Sequence, residues 1–130
     1  MNEENKNPDE QKEAPKIKLE DVSKGTLELA EPIRAKSKDI RELHYDFGKL
    51  TGWEYAEAMD SDANARNVFV VTKKQAISLF AAAAAKLTDD MDAIDIKTRI
   101  GLADAQRAAQ VATLFLSTAA REAGKNIYGE

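Results

Sequence analysis

Residues 44–59 read HYDFGKLTGWEYAEAM. The first four continue an alternating strand pattern, and the last eight have helical spacing. Gly48 lies between, and Gly52 and the chain's only tryptophan, Trp53, open the helical part. Upstream, IRELHYDF (40–47) puts Leu43, Tyr45 and Phe47 on one face and Glu42, His44 and Asp46 on the other. TLELAEPI (26–33) likewise sets Leu27 and Leu29 opposite Glu28, and Pro32 marks an edge position or the strand's end. The polar run RAKSKD (34–39) between them reads as a loop, so the two strands form an antiparallel hairpin. A lone hairpin is marginal in water, so its apolar face must rest on something. Downstream, Thr51 and Glu54 have capping-box spacing, with Thr51 as N-cap of a helix running from Gly52 to about Asp60. Trp53, Ala56 and Met59 share a face of that helix, and Trp53 is placed to pack back on the hairpin. Phe47, Gly48, Thr51, Gly52, Trp53 and Glu54 are thus expected to form a structural elbow: Phe47 ends the hairpin's apolar face, the two glycines allow the turn, and Trp53 locks the helix.

The rest of the chain reads as helices. Ser61 to Val71 is a connection whose NVFVV run fits either a third short strand or a buried lead-in. Thr72 and Gln75 repeat the capping-box spacing ahead of KKQAISLFAAAAAKL, with Ile77, Phe80, Ala81, Ala84 and Leu87 as its apolar stripe. An acidic break follows at Thr88–Asp92, then a short helix from Asp92 or Asp95 to Gly101. The last helix runs from Ala103 or Asp104 to Ala123, with Gly124 at C′ and a stripe of Ala105, Ala108, Ala112, Phe115, Leu116 and Ala119. Small residues on both long helices let them approach closely. The fold class is therefore α+β: an N-terminal β-hairpin on a mainly α-helical domain of three to four helices. Residues 1–24 carry charges of both signs and two prolines, and read as a disordered tail; residues 25–124 form the domain, and 125–130 a short C-terminal tail.

Composition bounds the function. The chain has 130 residues, one domain's worth, with 43% hydrophobic and 32% charged residues, a globular balance. Aromatics are only 6%, so alanine must fill much of the core, and a core of alanine is thin unless helices pack closely or a partner covers a face. The net charge of −4 and pI of about 5.1 oppose a nucleic-acid footprint. With no cysteine there is neither a disulfide framework nor a thiolate metal site. No apolar run reads as a signal peptide or a membrane span, which points to a cytoplasmic protein.

Catalytic chemistry finds no foothold. His44 is the only histidine, and no second histidine, cysteine or activated nucleophile accompanies it on the strand's polar side. TDDMDAID (88–95) suggests a calcium loop, but counting from Asp90 the sixth residue is Asp95 rather than glycine, and the twelfth is Gly101 rather than glutamate. The run reads instead as an acidic loop and helix N-terminus. Neither Ser23-Lys24-Gly25 nor Gly124-Lys125 has phosphate-loop spacing. The residues support no enzyme, metal, cofactor or small-molecule substrate. The alanine-rich helix is the remaining clue, since a helix that is small or apolar nearly all round is either central or meets a partner on a second side.

The order of GTLELAEPI, IRELHYDFGKLTGWEYAEAM, KKQAISLFAAAAAKL and DIKTRIGLADAQRAAQVATLFL resembles the phage tail assembly chaperones of long-tailed phages and prophages, over residues 25–120. The matching positions are the elbow Asp46, Phe47, Leu50, Thr51 and Gly52, then Phe80 and Ala84, then Asp95, Asp104 and Phe115. These are packing patterns, and the charged leader departs from the family's pattern. The resemblance implies a non-catalytic protein of the host cytoplasm that coats the tape-measure protein, keeps it soluble, helps recruit tail-tube protein and is absent from the mature virion. It also implies that a longer, frameshifted form is often made, for which Gly124-Lys125-Asn126 could encode the slippery site. Large side chains on the long helices, Phe80, Leu87, Phe115 and Leu116, are the expected partner anchors. Self-association is left open, and the alternative is a structural virion tail or head–tail joining protein.

Overall fold

The structure, a computed structural model, describes residues 17–65 and 70–127. In chain order the elements are α1 (Leu19–Val22), β1 (Lys24–Ala35), β2 (Lys38–Asp46), a 3₁₀ turn (Phe47–Lys49), α2 (Gly52–Met59), α3 (Lys73–Ala85), α4 (Ala93–Arg99) and α5 (Leu102–Ile127). This is the expected α+β arrangement of one antiparallel hairpin with helices. The first sixteen residues of the expected tail, most of the NVFVV run and the last three residues lie outside the described residues. No helix among the described residues is long and apolar enough to cross a membrane.

The part of the leader that is described has structure. Leu19–Val22 makes one helical turn, with the Lys18 amide donating to the Asp21 carboxylate at 3.3 Å and the Ser23 hydroxyl donating to the Leu19 carbonyl at 2.7 Å. The turn packs on α5, where Arg121 donates to the Ile17 carbonyl. The ladder then starts at once, since the Phe47 amide donates to the Ser23 carbonyl at 2.7 Å. The boundary expected at Gly25 therefore moves toward the N-terminus.

The hairpin turn is tighter than its polar sequence suggests. Only Lys36 and Ser37 lie between the strands, with φ of 50° and 72°. Two left-handed residues match the mirror-image turn that suits the twist of paired strands. Neither is glycine or asparagine, which is why RAKSKD reads as a longer loop. Lys36 in the turn and Lys38 just after it both reach Asp90, at 3.7 and 2.9 Å, tying the hairpin tip to the loop between α3 and α4. The hydrogen bond from Lys38, and its charge, hold the Asp90 carboxyl below the usual carboxylate range.

Pro32 interrupts the ladder without ending the strand. Glu28 pairs with Glu42 and Ile33 with Ile40, so Leu29 to Pro32 bulge opposite Arg41 alone. A bulge leaves amides unpaired and aims them outward. Here the Ala30 and Glu31 amides donate to the two oxygens of Asp104, at 2.8 and 3.0 Å. Asp104 is 1% exposed. Arg107, one turn along α5, pairs with the same carboxylate and donates to the Glu28 carbonyl at 2.6 Å. Asp104 is thus not the N-cap of α5. The helix starts at Leu102, Gly101 accepts its first backbone bond from Ala105 at 2.8 Å, and the carboxylate serves the hairpin. At its other end α5 continues through Gly124 to Ile127, so that glycine is not a stop.

The inner face of the hairpin rests on α3 and α5. Leu27, Ile33, Leu43 and Phe47 meet Leu79, Phe80, Ile96 and the alanines 81, 83, 84, 108 and 112 in one buried cluster. Rings organise it: Tyr45 lies 5.1 Å from Phe80 and 5.4 Å from Phe47, and Phe47 stacks on Phe115 at 4.5 Å and 15°. Burial pushes the Tyr45 phenol up from its ordinary pKa. The missing side chain at Gly25 is what admits this ring, because a Cβ there would stand 2.7 Å from the Tyr45 hydroxyl. The alanine run makes α3 narrow enough to touch α2, α4, α5 and β2 together. Centrality explains most of it.

Burial alone would raise the Asp104 pKa, but the Ala30 and Glu31 amides and Arg107 outweigh it, and the net shift is downward. A folded pKa below the unfolded value of about 3.9 means that the stabilisation is complete above that pH and is lost as pH falls through the folded pKa. Asp104→Ala should cost about 3 kcal/mol at neutral pH, because it strands two amides and a guanidinium. The variant should also lose less stability than wild type between about pH 4 and pH 2. Urea titrations at both pH values check this, and an unchanged midpoint would contradict it.

Candidate helix-binding groove

Because α2 and α4 both lean on α3 from different sides, a cleft opens between them. Ser78, Ala82 and Ala85 form its floor, one stripe of α3 at i, i+4 and i+7. Ala58 of α2 and Ala93 of α4 face it from the walls, and the space is about 360 Å³. Side chains this small leave room for a partner's backbone to approach closely. Here a remainder of the alanine run does border a second surface: Ala82 and Ala85 are half-buried, whereas Ala81, Ala83 and Ala84 are sealed in the core.

The rims are charged and asymmetric. Glu54 and Glu57 line the α2 side and Lys97 the α4 side, while Lys86, at the C-cap of α3, lies at the end of the floor beside Glu54. Glu54 serves two elements at once. One oxygen accepts the Thr51 amide at 2.8 Å in the capping box, and the other pairs with Lys86 at 2.6 Å. The Lys86 hydrogen bond, followed by the Thr51 amide, holds its carboxyl below the usual range. Glu57 and Lys97 have no ion-pair partner among the described residues.

The expected elbow holds in part. Phe47 is buried, the Gly48 amide donates to Asp46 at 2.9 Å, and the Thr51–Glu54 capping box is complete. Trp53 does not lock the helix: it is 74% exposed, and α2 sits on α3 through Ala58 and Met59 instead of on the hairpin. The glycines do not make the turn either. Neither has a left-handed φ, and the space where a Cβ of Gly52 would stand is open. Trp53 precedes Glu57 by one helical turn, which puts it beside the acidic rim.

The four expected anchors do not share a surface. Phe80 is 1% exposed and belongs to the core, and Phe115 is spent in the stack on Phe47. Leu87 stands exposed just past the C-terminus of α3. Leu116 lines a different concavity of about 810 Å³, with Tyr55, Met59, Val71 and Ala120. Ala65 and Val70, which line that concavity, flank a stretch of chain outside the described residues, so the groove over α3 is the better-defined candidate. Sequence reasoning missed Ala82, Ala85, Glu57 and Lys97. The signal for Ala82 and Ala85 is the i, i+4, i+7 stripe on the α3 side opposite Phe80, but exposed and buried alanines look alike in a run, and nothing local marks Glu57 on α2 or Lys97 on α4.

The polar residues weighed for chemistry have local partners. His44 meets the Thr26 hydroxyl at 2.8 Å and Glu42 at 3.2 Å on the open face of the hairpin. In the acidic run, Asp92 caps α4 with Asp95 in a reciprocal box, and Asp90 takes the hairpin lysines. No group of three or more metal-ligating side chains occurs among the described residues. Comparison with protein-family models, with curated proteins and with solved structures finds no match.

Trp53 makes a direct optical reporter. Its emission should be red-shifted and fully open to iodide quenching, and Trp53→Ala should change stability by no more than about 0.5 kcal/mol. A blue-shifted, quencher-resistant tryptophan would return it to the hairpin.

Proposed function

We propose that this protein is a non-catalytic chaperone of the tail assembly type, which holds helical segments of a tape-measure protein in the groove over α3, keeps them soluble in the host cytoplasm and helps recruit tail-tube protein. The observation that carries the proposal is the alanine-floored groove, with acids on the α2 rim, Lys97 on the α4 rim and an exposed tryptophan beside it. A small-residue floor suits a helix laid into it, because backbones can then approach closely and large side chains of the partner can fill the remaining space. Rims of opposite sign would orient the bound helix, and an exposed tryptophan is the residue type most often found to anchor such contacts. The sequence resemblance over residues 25–120 supplies the tape-measure protein as the partner class. An extended apolar helix left uncovered would aggregate, and an acidic coat of net charge −4 per copy would counter that.

The test is capture of a co-expressed tape-measure helix. Ala82→Phe fills the floor from a half-buried position and should abolish capture while the fold survives; Trp53→Ala should weaken it at least about tenfold. Retained capture in both variants, with loss in a Leu116→Asp variant, would move the contact to the other concavity. No capture by wild type would overturn the reading, as would finding the protein as a stoichiometric part of finished particles.

A further inference from the structure

The two edges of the hairpin are treated differently. Along β1 the outward main-chain groups of Lys24 and Thr26 have no partner among the described residues, but from Glu28 to Arg34 side chains of the helices take such groups up: the Glu28 carbonyl by Arg107, the Ala30 and Glu31 amides by Asp104, and the Arg34 carbonyl by Arg99 at 3.2 Å. Along β2 no helix side chain among the described residues does so. The bond from the Phe47 amide to the Ser23 carbonyl fixes the phase of the ladder, since these two residues follow the register that pairs Lys24 with Asp46. Antiparallel ladders alternate, so Tyr45 and Leu43 bond inward and Glu42, His44 and Asp46 turn their amides and carbonyls outward. Nothing among the described residues bonds the outward groups of Glu42 or His44. No proline or bulge interrupts the run from Glu42 to Asp46. Such an edge is a template for another strand.

We propose that the occupant is β2 of a second copy of this chain, paired antiparallel across a two-fold axis at Leu43, so that two hairpins make one four-stranded sheet. Charge selects the partner and the register. An axis perpendicular to the sheet pairs outward residues with outward residues. Centring on Glu42 sets Glu42 against itself, and centring on His44 sets Glu42 against Asp46. Like charges opposite one another are destabilising. Centring on Leu43 sets Glu42 against His44 of the second copy, twice per dimer, with those two residues sharing main-chain hydrogen bonds. Within one chain Glu42 already faces Glu28 directly across the ladder, and the Leu43-centred register adds no third carboxylate on its other flank. The solvent-facing side of the sheet, with Thr26, Glu28, Glu42 and His44 all exposed, carries no helix that would obstruct the pairing. This inference does not rest on the chaperone reading.

The test uses the full chain. Sedimentation equilibrium across a wide concentration range should show a monomer–dimer equilibrium. Hydrogen exchange should show Glu42 and His44 amides gaining protection as concentration rises, while Leu43 and Tyr45 are protected throughout. His44→Glu places glutamates opposite Glu42 and should raise the dissociation constant at least about tenfold; the double variant Glu42→Lys, His44→Glu sets lysine opposite glutamate and should recover dimerisation. Unchanged inward amides in both variants certify the fold. A monomer at every concentration overturns the proposal, and so does a dimer indifferent to His44→Glu. Concentration-independent protection of the outward amides in a monomer also overturns it, because the edge would then be covered within one chain.

Discussion

A carboxylate in the first turn of α5 holds the hairpin to the helices. Two strands cannot stand alone in water, and this pair is further weakened by a four-residue bulge. The bulge exposes the Ala30 and Glu31 amides where no strand can meet them. Asp104 takes both, and Arg107 neutralises the carboxylate and caps the neighbouring carbonyl. A bidentate acceptor is well suited here, because two parallel amides from consecutive residues match its two oxygens. The consequence is architectural. Once β1 is fixed to the start of α5, Phe115 three turns along is placed to stack on Phe47, and Arg121 to reach the carbonyl of Ile17.

This clamp also explains the proline. Pro32 cannot donate to a ladder, and in the bulge it does not need to. The apolar positions of β1 keep one parity through it, Leu27 and Leu29 before and Ile33 and Ala35 after, whereas the inward set of β2 shifts from Leu43 to Ile40. On the other side of α3, α4 reaches the sheet through Arg99, which donates to the Arg34 carbonyl, but α2 has no comparable tie. α2 is held by its capping box, by Ala58 and by the Glu54–Lys86 pair, which leaves the groove beside it bordered by short-range contacts.

What was legible in the sequence was local. The capping boxes at Thr51 and Thr72 depend on residues three apart, and both are present as read. The α5 stripe from Ala105 to Ala119 is buried or half-buried throughout, as a period of 3.6 requires. Reading failed where the partner was distant or the chemistry unusual. Asp104 reads only as an acidic residue near a helix start, because its partners lie 73 and 74 residues away. The turn at Lys36-Ser37 lacks the residues that normally announce two left-handed positions. Helical spacing points Trp53 at the hairpin, but α2 turns its Ala58 side to α3 and leaves the indole outside. Phe80 and Phe115 were read as contacts because they are large, and the scarcity of aromatics is the reason the core needs both.

Native-state hydrogen exchange at the Ala30 and Glu31 amides measures the clamp most directly. Both sit in a strand bulge near the surface, with no backbone acceptor. If Asp104 holds them, they exchange only when the domain opens globally, at the rate of the Leu43 amide in the core ladder, and Asp104→Ala makes both fast. Rapid exchange of these two amides in the wild-type protein would contradict the account, because the hairpin would then be held by its apolar face alone.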